Sequence, residues 1–256
     1  MQHSPKNYLP HIDGLRFIAV MSVVLHHIWP EIVPGGYVGV DIFFVISGYL
    51  IAGIIKREIE EGNFSFIHFY ERRVRRIFPA LFAVLIFCLI FGYFIFLPSD
   101  YLVSIRGILG TLFFISNIVF WKDLEDGYFA ETEAGLNPIV HTWSLSVEEQ
   151  FYIFFPIFLI FLYKLKIKKI PIILTIIFFF SLFISEYFLN SKPVAVFFLS
   201  PFRFWELLAG VLLAFISMPD IKNRLLREIL MLIGLIAMLY PCFSFSNSTE
   251  FPGINA

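Results

Sequence analysis

Ile77-Phe-Pro-Ala-Leu-Phe-Ala-Val-Leu-Ile-Phe-Cys-Leu-Ile-Phe-Gly-Tyr-Phe-Ile-Phe-Leu97 runs for 21 residues without a charge, directly after Arg72-Arg73-Val74-Arg75-Arg76. At a rise of about 1.5 Å per residue, such a run forms a helix that crosses the roughly 30 Å hydrocarbon core of a bilayer. Four guanidinium groups at its mouth mark the side that stays in the cytoplasm. Six more apolar stretches flank it, at roughly 14 to 30, 38 to 56, 148 to 163, 170 to 189, 201 to 217 and 228 to 246, with an eighth and more polar one at 101 to 121. The whole 256-residue chain has the same character: 59% hydrophobic, 19% aromatic, 15% charged, with a mean hydropathy of +0.82. That excludes a soluble globular domain, and the fold class expected is an all-α polytopic membrane protein. No stretch of polar sequence is long enough for a soluble domain.

Net charge is -1, which gives no global field for nucleic acid. Cys88 and Cys242 each sit alone in an apolar run, so neither a disulfide framework nor a zinc site is supported, and no metal is expected. Residues 1–11 hold one Lys and no cleavable apolar core, which argues against a removable signal peptide.

The segment joining the first two spans, Pro30 to Tyr37, holds no Lys or Arg, whereas the next holds Lys56, Arg57 and the Arg block. The positive-inside rule then puts the N-terminus in the cytoplasm. Lys164, Lys166, Lys168 and Lys169, and later Lys222, Arg224 and Arg227, should be cytoplasmic too, yet strict alternation through eight spans places both groups outside. The conflict disappears if the segment at 101 to 121 dips in and returns to the outer side. Its Arg106, Gly107, Gly110, Thr111, Ser116 and Asn117 suit a segment shielded by protein rather than lipid. About seven spans plus one re-entrant segment are expected, with Lys122 to Thr142 as an outer loop bearing Asp123, Glu125, Asp126, Glu131 and Glu133.

Several ionisable residues fall at membrane depth, where a charge costs about 2.5 kcal/mol or more. Arg16 and His27 lie eleven residues apart, so they share one helix face about three turns apart. They either face the bundle interior or sit at the two headgroup boundaries; His26 points elsewhere and reads as structural. In the run Gly35 to Tyr49, Asp41 can cap the second span or pair with a His or Arg of the first, and Ser47 and Gly48 permit close helix approach. The Arg72-Arg73-Val-Arg75-Arg76 block suits bidentate contact with phosphate as well as anchoring on anionic lipid. His141-Thr-Trp-Ser144-Leu-Ser-Val-Glu148-Glu149-Gln150-Phe-Tyr152 is the most polar start of any span, and a buried carboxylate there is a plausible proton acceptor. Arg203 and Glu206, at i and i+3, are close enough to pair.

Taken in order, Asp13-Gly-Leu-Arg16 with His27 beyond it, Gly36-Tyr-Val-Gly-Val-Asp41-Ile-Phe-Phe-Val-Ile-Ser47-Gly-Tyr, Arg73-Val-Arg-Arg76-Ile-Phe-Pro79, Trp143-Ser-Leu-Ser-Val-Glu148-Glu-Gln150-Phe-Tyr152 and Phe202-Arg-Phe-Trp-Glu206-Leu-Leu-Ala-Gly210 closely resemble the bacterial membrane acyltransferase 3 family. The resemblance implies O-acylation, most often O-acetylation, of cell-surface polysaccharides by a multi-pass protein of the bacterial inner membrane. It implies that Arg16 and His27 match a catalytic Arg-x10-His pair, that Arg73 and Arg76 match an Arg-x-x-Arg pair used for the donor, and that Glu148 matches an acidic catalytic position. Asp13, Asp41, Ser144, Glu149, Gln150, Arg203 and Glu206 fall within the same motifs as supporting residues. The implied donor is a cytosolic acyl-CoA, acetyl-CoA above all, with no bound cofactor. The implied acceptor is a surface glycan or lipid-linked saccharide, in contact with membrane lipid. His27 would deprotonate the acceptor hydroxyl or carry the acyl group transiently. Family members usually have about ten spans, and some add a hydrolase-like domain, so 256 residues are expected to hold the first part of such a bundle. A transporter or flippase for an anionic lipid-linked sugar would also need intramembrane Arg, His and Glu, but would be expected to show paired repeats, and none is visible. An inactive truncated fragment is the other alternative.

Overall fold

The structure, a computed structural model, describes residues 10–124, 137–167, 169–216, 221–246, 249 and 251–253. Among them are ten α-helices and no strand: α1 (Pro10–Ile28), α2 (Gly39–Glu60), α3 (Phe66–Ile95), α4 (Pro98–Leu112), α5 (Ser116–Asp123), α6 (Thr142–Lys164), α7 (Ile170–Leu189), α8 (Pro193–Phe198), α9 (Ser200–Phe215) and α10 (Arg224–Ser244). A proline in the first two positions starts α4, α7, α8 and α9, where its missing N–H costs nothing and its fixed φ suits the first turn. Asn223 caps α10 by accepting from the Leu226 amide at 3.2 Å.

Each of the seven apolar stretches lies on a helix, and five helices are long and apolar enough to cross a bilayer: α2 with its preceding 3-10 turn, α3, α6, α7 and α10. The other two fall outside that set for identifiable reasons. Helix α9 has 16 residues, and the 19 residues of α1 include His11, Asp13, Arg16, His26 and His27. The protein is therefore a helical bundle of multi-pass membrane character.

The polar segment at 101 to 121 is a helical hairpin. Helix α4 ends at Leu112, Phe114 takes a left-handed φ of 54°, and α5 folds back along α4. A Cβ on Gly107 would stand 3.1 Å from the Phe120 ring and one on Gly110 2.9 Å from Val119, while Arg106 pairs with Asp123 at 3.4 Å. Small residues on α4 let the returning helix α5 lie flush against it. Backbone groups freed at the tip find partners on α6: Gln150 Nε2 donates to the Phe114 carbonyl at 2.8 Å and to Asn117 Oδ1 at 2.9 Å. Hydroxyl pairs Thr111 with Thr142 and Ser116 with Ser146, each at 2.7 Å, knit the hairpin to the start of α6. This is how non-spanning backbone is tolerated inside a membrane bundle. Glu125, Asp126, Glu131 and Glu133 of the expected acidic loop, and Lys168, lie outside the described residues.

Helices α2 and α9 form the closest pair. A Cβ on Gly48 would meet the Leu207 carbonyl oxygen at 1.9 Å, and one on Gly210 would meet the Val45 carbonyl oxygen at 1.9 Å, so any side chain at either position would force two backbones apart. Asp41 takes a partner different from both that its position in sequence allowed. It neither caps α2 nor bonds the first helix, but forms an ion pair with Arg203 of α9, Nη2 to Oδ1 at 2.7 Å.

Candidate active site

A cavity of about 710 Å³ opens among α1, α2, α3 and α6. Its four walls come from residues at helical spacing: Arg16, Ala19, Val20, Val23 and Val24 on α1; Phe43, Ser47, Leu50, Ile51 and Ile54 on α2; Phe69, Arg72, Arg73, Arg76 and Ile77 on α3; Ser144, Glu148 and Tyr152 on α6. His141, the residue just before α6, lines it as well. Most of the lining is apolar, and along α6 it runs from His141, just ahead of the helix, to Tyr152, which contacts Arg73.

Arg72, Arg73 and Arg76 line the cavity, but the block divides by pairing. Arg72 pairs with Glu58 at 2.7 Å and Arg75 with Glu71 at 2.7 Å. Among the described residues no carboxylate lies within 4 Å of Arg73 or Arg76, and both face the cavity. The Arg73 guanidinium lies over the Tyr152 ring, 3.7 Å from its centroid, a separation at which cation and π face attract. The hydroxyl of that same Tyr152 donates to the Glu148 carboxylate. Arg73, Tyr152 and Glu148 therefore form one connected chain along the cavity wall. Glu149 is buried beside them, with Oε1 lacking a hydrogen-bond partner, and Gln150 faces the hairpin instead. Ser144 Oγ donates to the His141 carbonyl at 3.1 Å.

His27 occupies an adjoining space. Its Nδ1 lies 2.8 Å from the Val23 carbonyl oxygen. A carbonyl only accepts, so Nδ1 carries the proton and Nε2 is the basic nitrogen of the neutral ring. Val23, Val40 and Trp143 line both this space and the main cavity, so His27 sits just past the rim of the cavity that holds Arg16. Arg16 itself pairs loosely with exposed Asp13 at 3.5 Å, and its buried Nε has no hydrogen-bond partner. His26 is buried on another face, with Nδ1 3.0 Å from the Val33 carbonyl oxygen and its ring edge-on to Tyr37.

The structure thus gathers Arg16, Arg73, Arg76, Ser144 and Glu148 around one cavity with His27 beside it. Asp41, Arg203 and Glu206 form a buried cluster whose Arg203 lines the space beside His27, and Asp13 stays at the surface. Two residues in the sequence motifs had no role of their own until their surroundings were visible. Tyr152 joins Arg73 to Glu148, and His141 stands at the far end of the cavity near His27. Crowding by the cavity wall, with a further contribution from the neighbouring His27, holds the His141 imidazole below the usual histidine range even though the residue stays open to the cavity. The signal that could have found His141 is the density of polar residues from 141 to 150 at the head of an otherwise apolar helix.

The acyltransferase-domain family, acyltransferase 3, matches residues 9–255. The chain belongs to the acyltransferase 3 family. An uncharacterized protein of Haemophilus influenzae is 38% identical over 225 residues, 84% of this chain and 91% of that one. The O-acetyltransferase OatA of Staphylococcus aureus is 33% identical over 241 residues, 92% of this chain and 39% of OatA. The chain therefore spans less than two-fifths of the longer relative. No solved structure matches it. The five sequence blocks quoted above all fall inside the matched region, and four of them, those of Arg16, Ser47, Arg73 with Arg76, and Glu148, line one cavity.

Proposed function

We propose that the chain moves an acyl group, acetyl above all, from a cytosolic acyl-CoA to a hydroxyl of a surface or lipid-linked polysaccharide, working in the bacterial inner membrane with its N-terminus in the cytoplasm. The observation that carries this reading is a single cavity lined by Arg73 and Arg76, neither of them in an ion pair among the described residues, with His141 on its wall and His27 beside it. Acyl-CoA is a polyanion made inside the cell, and its phosphates suit Arg73 and Arg76, whose forks bind phosphate bidentately. Tyr152 holds Arg73 in place while Glu148 fixes Tyr152. The pantetheine arm is long and weakly polar, which fits the largely apolar wall between the Arg end and His141. At the far end His27 Nε2 takes the proton of the acceptor hydroxyl as its oxygen attacks the thioester carbonyl, and the C–S bond then breaks to release the CoA thiol. Arg16, partly shielded and short of partners, contributes positive charge along the same path.

Two measurements test this. Membrane vesicles containing the chain, given acetyl-CoA labelled in the acetyl group, should transfer label to the glycan fraction well above vesicles lacking it. A flippase would move lipid-linked sugar without needing the donor, and no label transfer by membrane-inserted chain would end the acyltransferase reading. For sidedness, Asn63→Cys and Asn137→Cys, in a background with Cys88→Ala and Cys242→Ala, should react with an impermeant thiol reagent from opposite sides of the membrane. Labelling of both from one side would overturn the orientation and the hairpin's return to the outer face.

A further inference from the structure

The space beside His27 measures about 20 Å³, and Arg203 faces it together with Val40, Trp143, Phe197 and Phe251. The space is small and admits a group of a few atoms at most. Arg203 is fully buried. Its Nη2 donates to Asp41 Oδ1 at 2.7 Å, its Nε lies 3.1 Å from Glu206 Oε1 without hydrogen-bond geometry, and neither Nε nor Nη1 has a hydrogen-bond partner. Rings of Phe44, Trp143, Phe197 and Phe251 surround the guanidinium, with centroids 5.2 to 5.8 Å from Cζ. Unsatisfied buried donors are costly to keep. Asp41 holds one edge of the guanidinium, and its unpartnered nitrogens remain for a ligand that accepts a hydrogen bond in the space that Arg203 lines.

We propose that this pocket is the acyl subsite, which takes the two-carbon acyl group of the donor with its carbonyl oxygen on Arg203 Nη1 and its methyl against Phe197 and Phe251. The proposal rests on the acyl-transfer reading above and adds to it a second catalytic residue and the limit on acyl length. The acceptor oxygen bonds to the carbonyl carbon, and the negative charge that gathers on the carbonyl oxygen is met by Nη1 in a dry, aromatic-walled site. When that intermediate collapses, the C–S bond breaks and the sulfur leaves with the electron pair. It then takes the proton that His27 received from the hydroxyl. A longer chain would have to enter space filled by the Phe197 and Phe251 rings.

The test uses membrane vesicles containing the full chain and reads CoA thiol release from acetyl-CoA and from butyryl-CoA. Each methylene in an apolar pocket alters discrimination by about 10-fold or more, so wild type should prefer acetyl-CoA at least tenfold. Phe197→Ala should raise butyryl use and shrink that preference to threefold or less; should that variant be missing from the membrane, Phe251→Leu tests the same wall. Arg203→Lys keeps a cation between Asp41 and Glu206 but removes Nη1, and should slow acetyl-CoA turnover at least tenfold with its KM within about twofold. No release from either donor by wild type would overturn acyl transfer itself. Equal use of both donors by wild type, a preference unchanged in both wall variants, or an Arg203→Lys enzyme of full speed would overturn the acyl subsite and leave the transfer reading standing.

Discussion

His27→Ala is expected to lower acyl transfer by about 10²- to 10⁴-fold, the range lost when a positioned general base is removed, with the amount of protein in the membrane unchanged. The side chain is exposed at the rim of the cavity and its Nδ1 bonds the carbonyl one turn back on its own helix, so its loss should leave the packing of the bundle in place. His26→Ala should give the opposite pattern. That ring is buried, holds the Val33 carbonyl and packs on Tyr37, so its loss should cost about 1 to 3 kcal/mol of stability through the bond and the contact. Transfer per folded molecule should change by less than about threefold. Turnover and thermal melting of the two variants, measured side by side in detergent and in vesicles, separate the two roles. An essential His26 with a dispensable His27 would remove the site from α1.

The contrast between these neighbours shows what a sequence of this kind can reveal. Helical periodicity alone put Arg16 and His27 on one face and His26 on another, and the walls of the cavity follow that periodicity through Ala19, Val20, Val23 and Val24. The hairpin at 98–123 was legible for a different reason: counting positive charges on each side left one segment that could not cross, and it was the most polar of the eight. The limits were equally physical. Asp41 and Arg203 are 162 positions apart, and their meeting depends on Gly48 and Gly210 letting α2 and α9 touch, a three-dimensional fact with no local pattern. Tyr152 was visible only as one aromatic residue among many in a chain where aromatics make up 19% of residues. Its significance comes from Arg73 above its ring and Glu148 at its hydroxyl. His141 had the same difficulty, because the segment before it does not repeat with a helical period and so gives no face on which to place it.

Arg73→Ala combined with Arg76→Ala should raise the KM for acyl-CoA on the order of 100-fold or more, since each hydrogen bond to a charged group contributes about 1.5 to 3 kcal/mol. Membrane insertion should persist, because Lys56, Arg57, Arg72 and Arg75 keep the loop strongly positive. The structure sharpens this expectation. Removing Arg72 with Arg75 subtracts the same formal charge, yet those two already pair with Glu58 and Glu71, so that double variant should shift KM only severalfold. Lysine at 73 and 76 should recover part of the loss, as an ammonium supplies charge without the planar fork. Tyr152→Phe keeps the ring beneath Arg73 but releases Glu148, whereas Tyr152→Leu removes the platform as well. If the ring positions the guanidinium, the Leu variant should raise donor KM clearly more than the Phe variant does. Equal KM values for the two double-Ala proteins would mean that the loop attracts the donor by its total charge alone, and the difference between paired and unpaired Arg would then have no part in donor binding.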